Sequence, residues 1–400
     1  MLSRFQPPPL PPPQSWYPGH MTQFSRILPR LLSRTDVVLE LRDARLPLTS
    51  VNRNFEGALN RWRSERLGLS EHAAISSPHA GARVCERVVA FSKRDLVPEW
   101  GIEPFQKAME TKFPQQRTMF VSWNRPKDLK TLSSLLVNIA REHPHIPELN
   151  VLVVGMPNVG KSTLLNALRA IGISGPTPKA LRTSAQPGLT RALSTRLKLS
   201  EDPLVYSFDT PGVMLPFLGR GDRGAERGVK LALIAGIKEG LYDNEALAAY
   251  LLYRLNALDG AKPAYLTLLP PGTTPTDDVH EFLGILARRL GMLQRGGIPN
   301  LSRAAGWFVR WWRDEGGTAS TRRAGWGLDF EWKVDEDMSD IAVQRQMEEC
   351  IEHFVMEEAR EEEEGAGVST TQERKRIREE KMAKWALRTK NRLARNKSAS

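Results

Sequence analysis

Only two of the 400 residues are cysteine, Cys85 and Cys350, far apart and without metal-ligand spacing. That excludes a disulfide framework and fits a reducing compartment such as cytosol, nucleus or organelle matrix. Long apolar runs are missing too. The richest stretches, LALIAG and ALAAYLLY, fall well short of the ~18 apolar residues of a spanning helix, so no transmembrane segment is expected. Acidic residues fail to balance basic ones, and the net charge is +11. Such an excess points to an acidic partner, most commonly nucleic acid, or to the ordinary basic composition of an organelle.

What is present is a set of short motifs in an unusual order. GMPNVGKST (Gly155 to Thr163) matches the phosphate-binding loop G-x-x-x-x-G-K-[ST], whose backbone N–H groups close around phosphates. NVLVV, Asn150 to Val154, reads as a buried strand entering it, and STLLNALRA as the helix leaving it. Lys161 is placed to reach the β- and γ-phosphates, and Ser162 to ligate Mg²⁺. Farther on stand QPGLTR, with Thr190, and DTPG, Asp209 to Gly212. The strand-like RVVAF leads into FSKRDL, the candidate guanine-reading motif, with Ser92, Lys93, Arg94 and Asp95. In an ordinary GTPase that motif follows DTPG; here it precedes the phosphate loop, which marks a circular permutation.

Strand and helix patterns alternate along the chain. DVVLEL is a strand ending in RDARLPLTSVN, which reads as a polar loop, and residues 60–87 read as an insertion or mobile loop. TMFVSWN is a strand and LKTLSSLLVNIARE an amphipathic helix. The predicted fold is α/β: a circularly permuted P-loop GTPase domain with a mostly parallel sheet over residues 16–235, then a small all-α domain over 236–345. Within the latter, the spacing of Trp307, Trp311 and Trp312 favours a core face over base stacking. EEAREEEE reads as a solvated acidic run, and residues 346–400 as a charged, flexible tail whose basic end suits RNA phosphates. No acidic residue precedes Asp36, as in mitochondrial import segments. PPPLPPP favours polyproline II instead, so residues 1–15 fit either a targeting or a disordered extension.

WYPGHM, VVLELRDARLPLTSVN, SKRDL, GMPNVGKSTLLNAL, QPGLTR and DTPGV, in this order over roughly residues 16–318, resemble the circularly permuted ribosome-assembly GTPases, in the branch of ribosome biogenesis GTPase A. The resemblance implies GTP binding and hydrolysis with Mg²⁺, and a role in assembling a large ribosomal subunit on its rRNA. It further implies mitochondria, with peripheral association on the matrix side of the inner membrane; a nucleolar or cytosolic site is the alternative. The long charged extensions of the nucleolar and cytosolic relatives are lacking, which favours mitochondria. Carried onto this chain, Asp95 accepts from guanine N1 and N2, Lys93 covers the base, and Ser92 stands where the family usually has Asn. Ser122-Trp123 replaces the usual Ser-Ala that meets guanine O6 through backbone N–H. ATP is the minor alternative these departures leave open.

By the same resemblance Lys161, Thr190 and Gly212 serve the γ-phosphate, and Asn158, Val159, Gly160, Ser162 and Thr163 complete the phosphate site. Ser162, Thr190 and Asp209 hold Mg²⁺, and Asn158 helps hold K⁺. Val213 follows DTPG where Ras-like enzymes place a water-orienting Gln, so slow intrinsic hydrolysis is expected. A small-molecule kinase is disfavoured by DTPG and by the lack of an acceptor lid. A nucleotide-gated RNA-binding module with negligible hydrolysis is disfavoured by the intact Lys161, Ser162, Thr190 and Asp209.

Overall fold

The computed structural model describes residues 6–14, 16–76, 84–178, 180–181, 196–215, 217–316, 324–332 and 339–363. Six strands build the main sheet: β1 (Val37–Asp43), β2 (Glu86–Ser92), β3 (Arg117–Val121), β4 (Leu149–Gly155), β5 (Leu197–Glu201) and β6 (Leu204–Asp209). Their order is β3-β2-β1-β4-β6-β5, with β5 antiparallel to β6 and every other pair parallel. The central strands begin as apolar runs because helices cover both faces of a parallel sheet. Val37, Val38, Leu39, Val151, Leu152 and Val153 are all fully buried. The covering helices are α1 (Gly19–Leu32), α2 (Arg53–Ser76), α3 (Ile102–Lys112), α4 (Pro126–Glu142), α5 (Lys161–Gly172) and α6 (Gly221–Leu233).

The permuted order is visible in the sheet. β1, first in the chain, lies in the middle, between β2, which leads into SKRDL, and the phosphate-loop strand β4. The chain leaves this layer through α6, the next helix after DTPG, and enters α7 (Asn244–Leu258), α8 (Val279–Arg289) and α9 (Leu301–Trp311). Each of these three starts on a side-chain cap: Asp243, Asp278 and Asn300 accept from N–H groups of the first turn. Trp312 is 3% exposed, and Trp307 and Trp311 pack against the main core, so this cluster is a core face.

Four expectations are corrected. Most of the segment read as a loop after residue 60 is helix: Phe55, Leu59, Trp62 and Arg66 repeat at three and four and are buried, a stripe diluted in the sequence by charged neighbours. RDARLPLTS, read as a polar loop, is buried throughout. The acidic run is not wholly solvated; it ends helix α10 (Asp340–Glu363), which crosses the boundary expected at 345/346. There Glu357 and Glu361 pair with Arg223 of α6 at 2.8 and 3.0 Å, and Glu358 with Arg227. Nor is the described part of the N-terminal extension free, since Leu10 packs on the core and Gln14 N–H donates to the Tyr242 hydroxyl at 2.9 Å.

The residues after α9 complete a second core under β2 and β3. A short hairpin, β7 (Gly325–Trp326) and β8 (Phe330–Glu331), sets Trp326 against Phe105, with ring centroids 5.2 Å apart. Phe91, Phe120, Phe330 and the α10 residues Val343, Met347 and Ile351 surround it. Trp326 Nε1 donates to Pro98 O at 2.9 Å, so its one polar group is satisfied. Trp326→Ala is expected to lower the unfolding free energy by about 3–5 kcal/mol, from lost transfer energy and the cavity left behind. Denaturant unfolding checks this; a loss below about 1 kcal/mol would show that the hairpin is peripheral.

Candidate functional site: a phosphate and base cleft on one sheet edge

The phosphate loop joins β4 to α5. Gly160 has φ +93°, and a Cβ there would lie 2.3 Å from Trp123 Cζ2. Gly212 of DTPG abuts the loop so closely that a Cβ would lie 2.6 Å from Pro157 Cα. Lys161 Nζ donates to Gly155 O at 3.2 Å and Met156 O at 2.8 Å, folding back over the loop. Ser162 Oγ donates to Asp209 Oδ2 at 2.6 Å. Asp209 ends β6, whose register on β4 brings it beside the loop. A hydroxyl and a buried carboxylate in contact are the hard oxygen donors Mg²⁺ prefers, so the residues fit that ion. Val159 is fully buried, Thr163 lies in the first turn of α5, and Asn158 Nδ2 donates to Ala235 O at 2.8 Å. Thr190 lies outside the described residues. Val213 is buried and its N–H is tied to Gly155 O at 3.2 Å, with its own carbonyl accepting from Asn52.

The candidate base-reading residues leave the ends of β2 and β3, on the same sheet edge. Ser92 is buried and its Oγ donates to Arg42 O at 3.1 Å, a tie to the neighbouring strand. Lys93, at φ +59°, directs Nζ to Asp43 at 2.9 Å. Asp95 accepts from Asn124 Nδ2 at 3.3 Å. Arg94 is drawn instead into ion pairs with Asp128 and Glu99, which makes it a strut of the cleft wall. Ser122 N–H donates to Asp128 Oδ2 at 3.1 Å, so Asp128 ties the two base-side loops together. Trp123 meets Gly160, joining base side and phosphate side. Sequence reasoning missed Asp43, Arg45 and Asp128. Their signal was the acid between two arginines in RDAR, at a strand end, and an acid in the first turn of α4.

Burial pushes the Lys161 ammonium down to about 8, and Asp209 offsets this only in part. Burial likewise raises Asp209, against Ser162 and Lys161. Burial thus works against both charges, and a phosphate beside Lys161 and a cation beside Asp209 would favour them. Among the described residues no helix is long and apolar enough to cross a membrane.

Strand order, loop chemistry and the position of DTPG define a circularly permuted P-loop GTPase. The family described as 50S ribosome-binding GTPase matches residues 150–253. Over 308 residues the chain is 34% identical to Mitochondrial GTPase 1 of Schizosaccharomyces japonicus, covering 75% of this chain and 87% of that one. It is 32% identical over 246 residues to Mitochondrial ribosome-associated GTPase 1 of Mus musculus, covering 60% and 66%. The solved structure of GNP-bound YlqF from T. maritima aligns over 75% of this chain and 98% of that one, with a TM-score of 0.46 and 18% identity. The chain belongs to the mitochondrial GTPase 1 family, and is a GTP-binding GTPase.

The depressed Lys161 ammonium gives a pH prediction. Phosphates bind the protonated form, whereas the free protein loses it as pH rises through about 8, so binding takes up a proton. GDP affinity should be flat from about pH 6.5 to 7.5 and fall by up to about tenfold per unit above 8. Calorimetry in buffers of different ionisation enthalpy checks the proton uptake, and Lys161→Met should abolish it.

Proposed function

We propose that this GTPase is an assembly factor for the large subunit of the mitochondrial ribosome, working as a nucleotide-dependent switch on its rRNA. The observation that carries this reading is the path of α6. It begins after DTPG, the segment expected to sense γ-phosphate, is braced by α10, and runs straight into the helical domain. A shift of DTPG therefore moves a whole domain, which suits a switch better than a metabolic enzyme. The basic excess and the ribosome-associated name of relatives agree with an RNA partner. Peripheral attachment to the matrix side of the inner membrane belongs to the same proposal.

In this reading Lys161 and the loop amides hold the phosphates, while Ser162, Thr190 and Asp209 hold Mg²⁺. When bound, Mg²⁺ neutralises charge developing on the phosphate oxygens. Gly212 offers its N–H to γ-phosphate, Asp95 accepts from guanine, and the Ser122-Trp123 backbone meets guanine O6. Val213, buried and tied at both backbone groups, orients no water, so intrinsic turnover is slow. Asn158, fixed by Ala235 beside the phosphates, contributes to a K⁺ site that supplies the missing charge.

Two measurements test the reading. With hydrolysis blocked, the protein should sediment with the large subunit of mitochondrial extracts; migration at the top of the gradient regardless of nucleotide would remove the ribosomal role. Turnover should be several-fold faster in K⁺ than in Na⁺ at equal ionic strength. Asn158→Ala should erase that difference while largely sparing nucleotide affinity, and equal rates in the two ions would refute the K⁺ site.

A further inference from the structure

Some of the most deeply buried charges near the cleft make no contact with the phosphate loop. Asp43, at the end of β1, is fully buried and Arg45 is 2% exposed. Asp43 accepts from Arg45 N at 3.1 Å, from Arg45 Nε and Nη2 at 2.9 Å each, and from Lys93 Nζ at 2.9 Å. Desolvating such a pair costs about as much as its attraction returns, so stability alone is a weak reason for it. The remaining contacts of Arg45 supply another. Its Nη1 donates to Arg313 O at 3.1 Å, and its guanidinium lies 5.1 Å from the centre of the Trp312 ring. Its own carbonyl accepts from Leu328 N at 2.8 Å. Residues that follow α9 and the β7–β8 hairpin thus grip Arg45 by side chain and backbone.

The contacts continue beyond Arg45. Arg313 donates from Nε to Leu233 O at 2.7 Å and from Nη2 to Ala232 O at 2.9 Å, at the C-terminal end of α6. Asn158 of the phosphate loop donates to Ala235 O just past that end. Hydrogen bonds therefore run from Lys93 through Asp43, Arg45 and Arg313 to the end of α6, and return to the phosphate loop.

We propose that Arg45 is a positioning residue for guanine recognition: it holds Asp43, and through it the Lys93 ammonium, where the seating of Trp312 and Arg313 dictates. Base affinity then depends on how the C-terminal region is seated, and by linkage guanine binding strengthens that seating. Lysine cannot replace Arg45 here, because one ammonium cannot clamp Asp43, reach the Arg313 carbonyl and stack on an indole together. The inference rests on the assignment of Lys93 to the guanine side of the cleft.

The test is a set of mutant cycles in the full chain: Arg45→Lys and Trp312→Leu, each alone and with Lys93→Ala, with GDP and ADP affinities measured by calorimetry. Each single change should weaken GDP about five- to tenfold and ADP by less than about twofold. Neither should weaken GDP further once Lys93 is alanine. Trp312→Leu leaves the Asp43–Arg45 pair intact and so reports even where Arg45→Lys fails to fold. Trp312→Phe, which keeps a ring under the guanidinium, should restore most of the GDP affinity. Equal losses for both nucleotides, or losses that add to that of Lys93→Ala, overturn the proposal. A Lys93→Ala change that weakens GDP and ADP alike means the base-side assignment is wrong, and the inference falls with it. A guanine-selective Lys93→Ala with an additive cycle sinks the coupling alone.

Discussion

The pairing of β1 with both β2 and β4 is the constraint on which the rest of the molecule depends. In register, Asp43 lies opposite Ser92 on one side and Leu41 opposite Gly155 on the other. Because these strands are parallel, the loops that leave β1, β2, β3, β4 and β6 emerge on one edge, where α/β folds bind their ligands. The separation of the phosphate loop from the base-reading loop is therefore one strand wide, whatever order the chain visits them in. Permutation is tolerated for this reason: sheet energetics depend on which strands are adjacent, and the cost of closing a different loop grows only slowly with its length.

The same central strand carries charge into the core. Glu40 is 2% exposed and accepts from Arg42 Nε at 2.7 Å and from Arg87 Nη2 at 2.6 Å. Asp43 follows with no exposure. Buried ions persist only when every lone pair has a donor, and in the Asp43 loop backbone groups have the same need. Asp329 of the hairpin meets much of it, accepting from Leu48 N at 2.9 Å, Thr49 N at 2.8 Å and Thr49 Oγ1 at 2.6 Å. The C-terminal segment is thus part of the nucleotide domain's interior, although it lies almost three hundred residues away in the chain.

Helix α6 joins these parts. Its N-terminus follows DTPG, its arginines meet the glutamates of α10, and the carbonyls at its C-terminal end receive Arg313. The α10 attachment has a buried part, Arg227 with Glu358 at 9% and 15% exposure, and a solvated part at Arg223, 40% exposed.

By itself the sequence determined the features that are local: the glycine and lysine spacing of the phosphate loop, DTPG, the apolar strands, and the helical character of the region that holds α7 to α9. Each depends on residues within a few positions, and their order alone revealed the permutation. The residues proposed for the base side stand in one short motif, but nothing in it showed that Arg94 is spent on Asp128 and Glu99. Only the tertiary structure decided that RDARLPLTS is buried, that residues 53–76 are helical, and that the acidic run is neutralised by Arg223 and Arg227. A polar residue's fate depends on whether a distant partner desolvates and satisfies it, as Asp329 and Arg45 do here. That partner is chosen by three-dimensional packing, which no window along the chain contains.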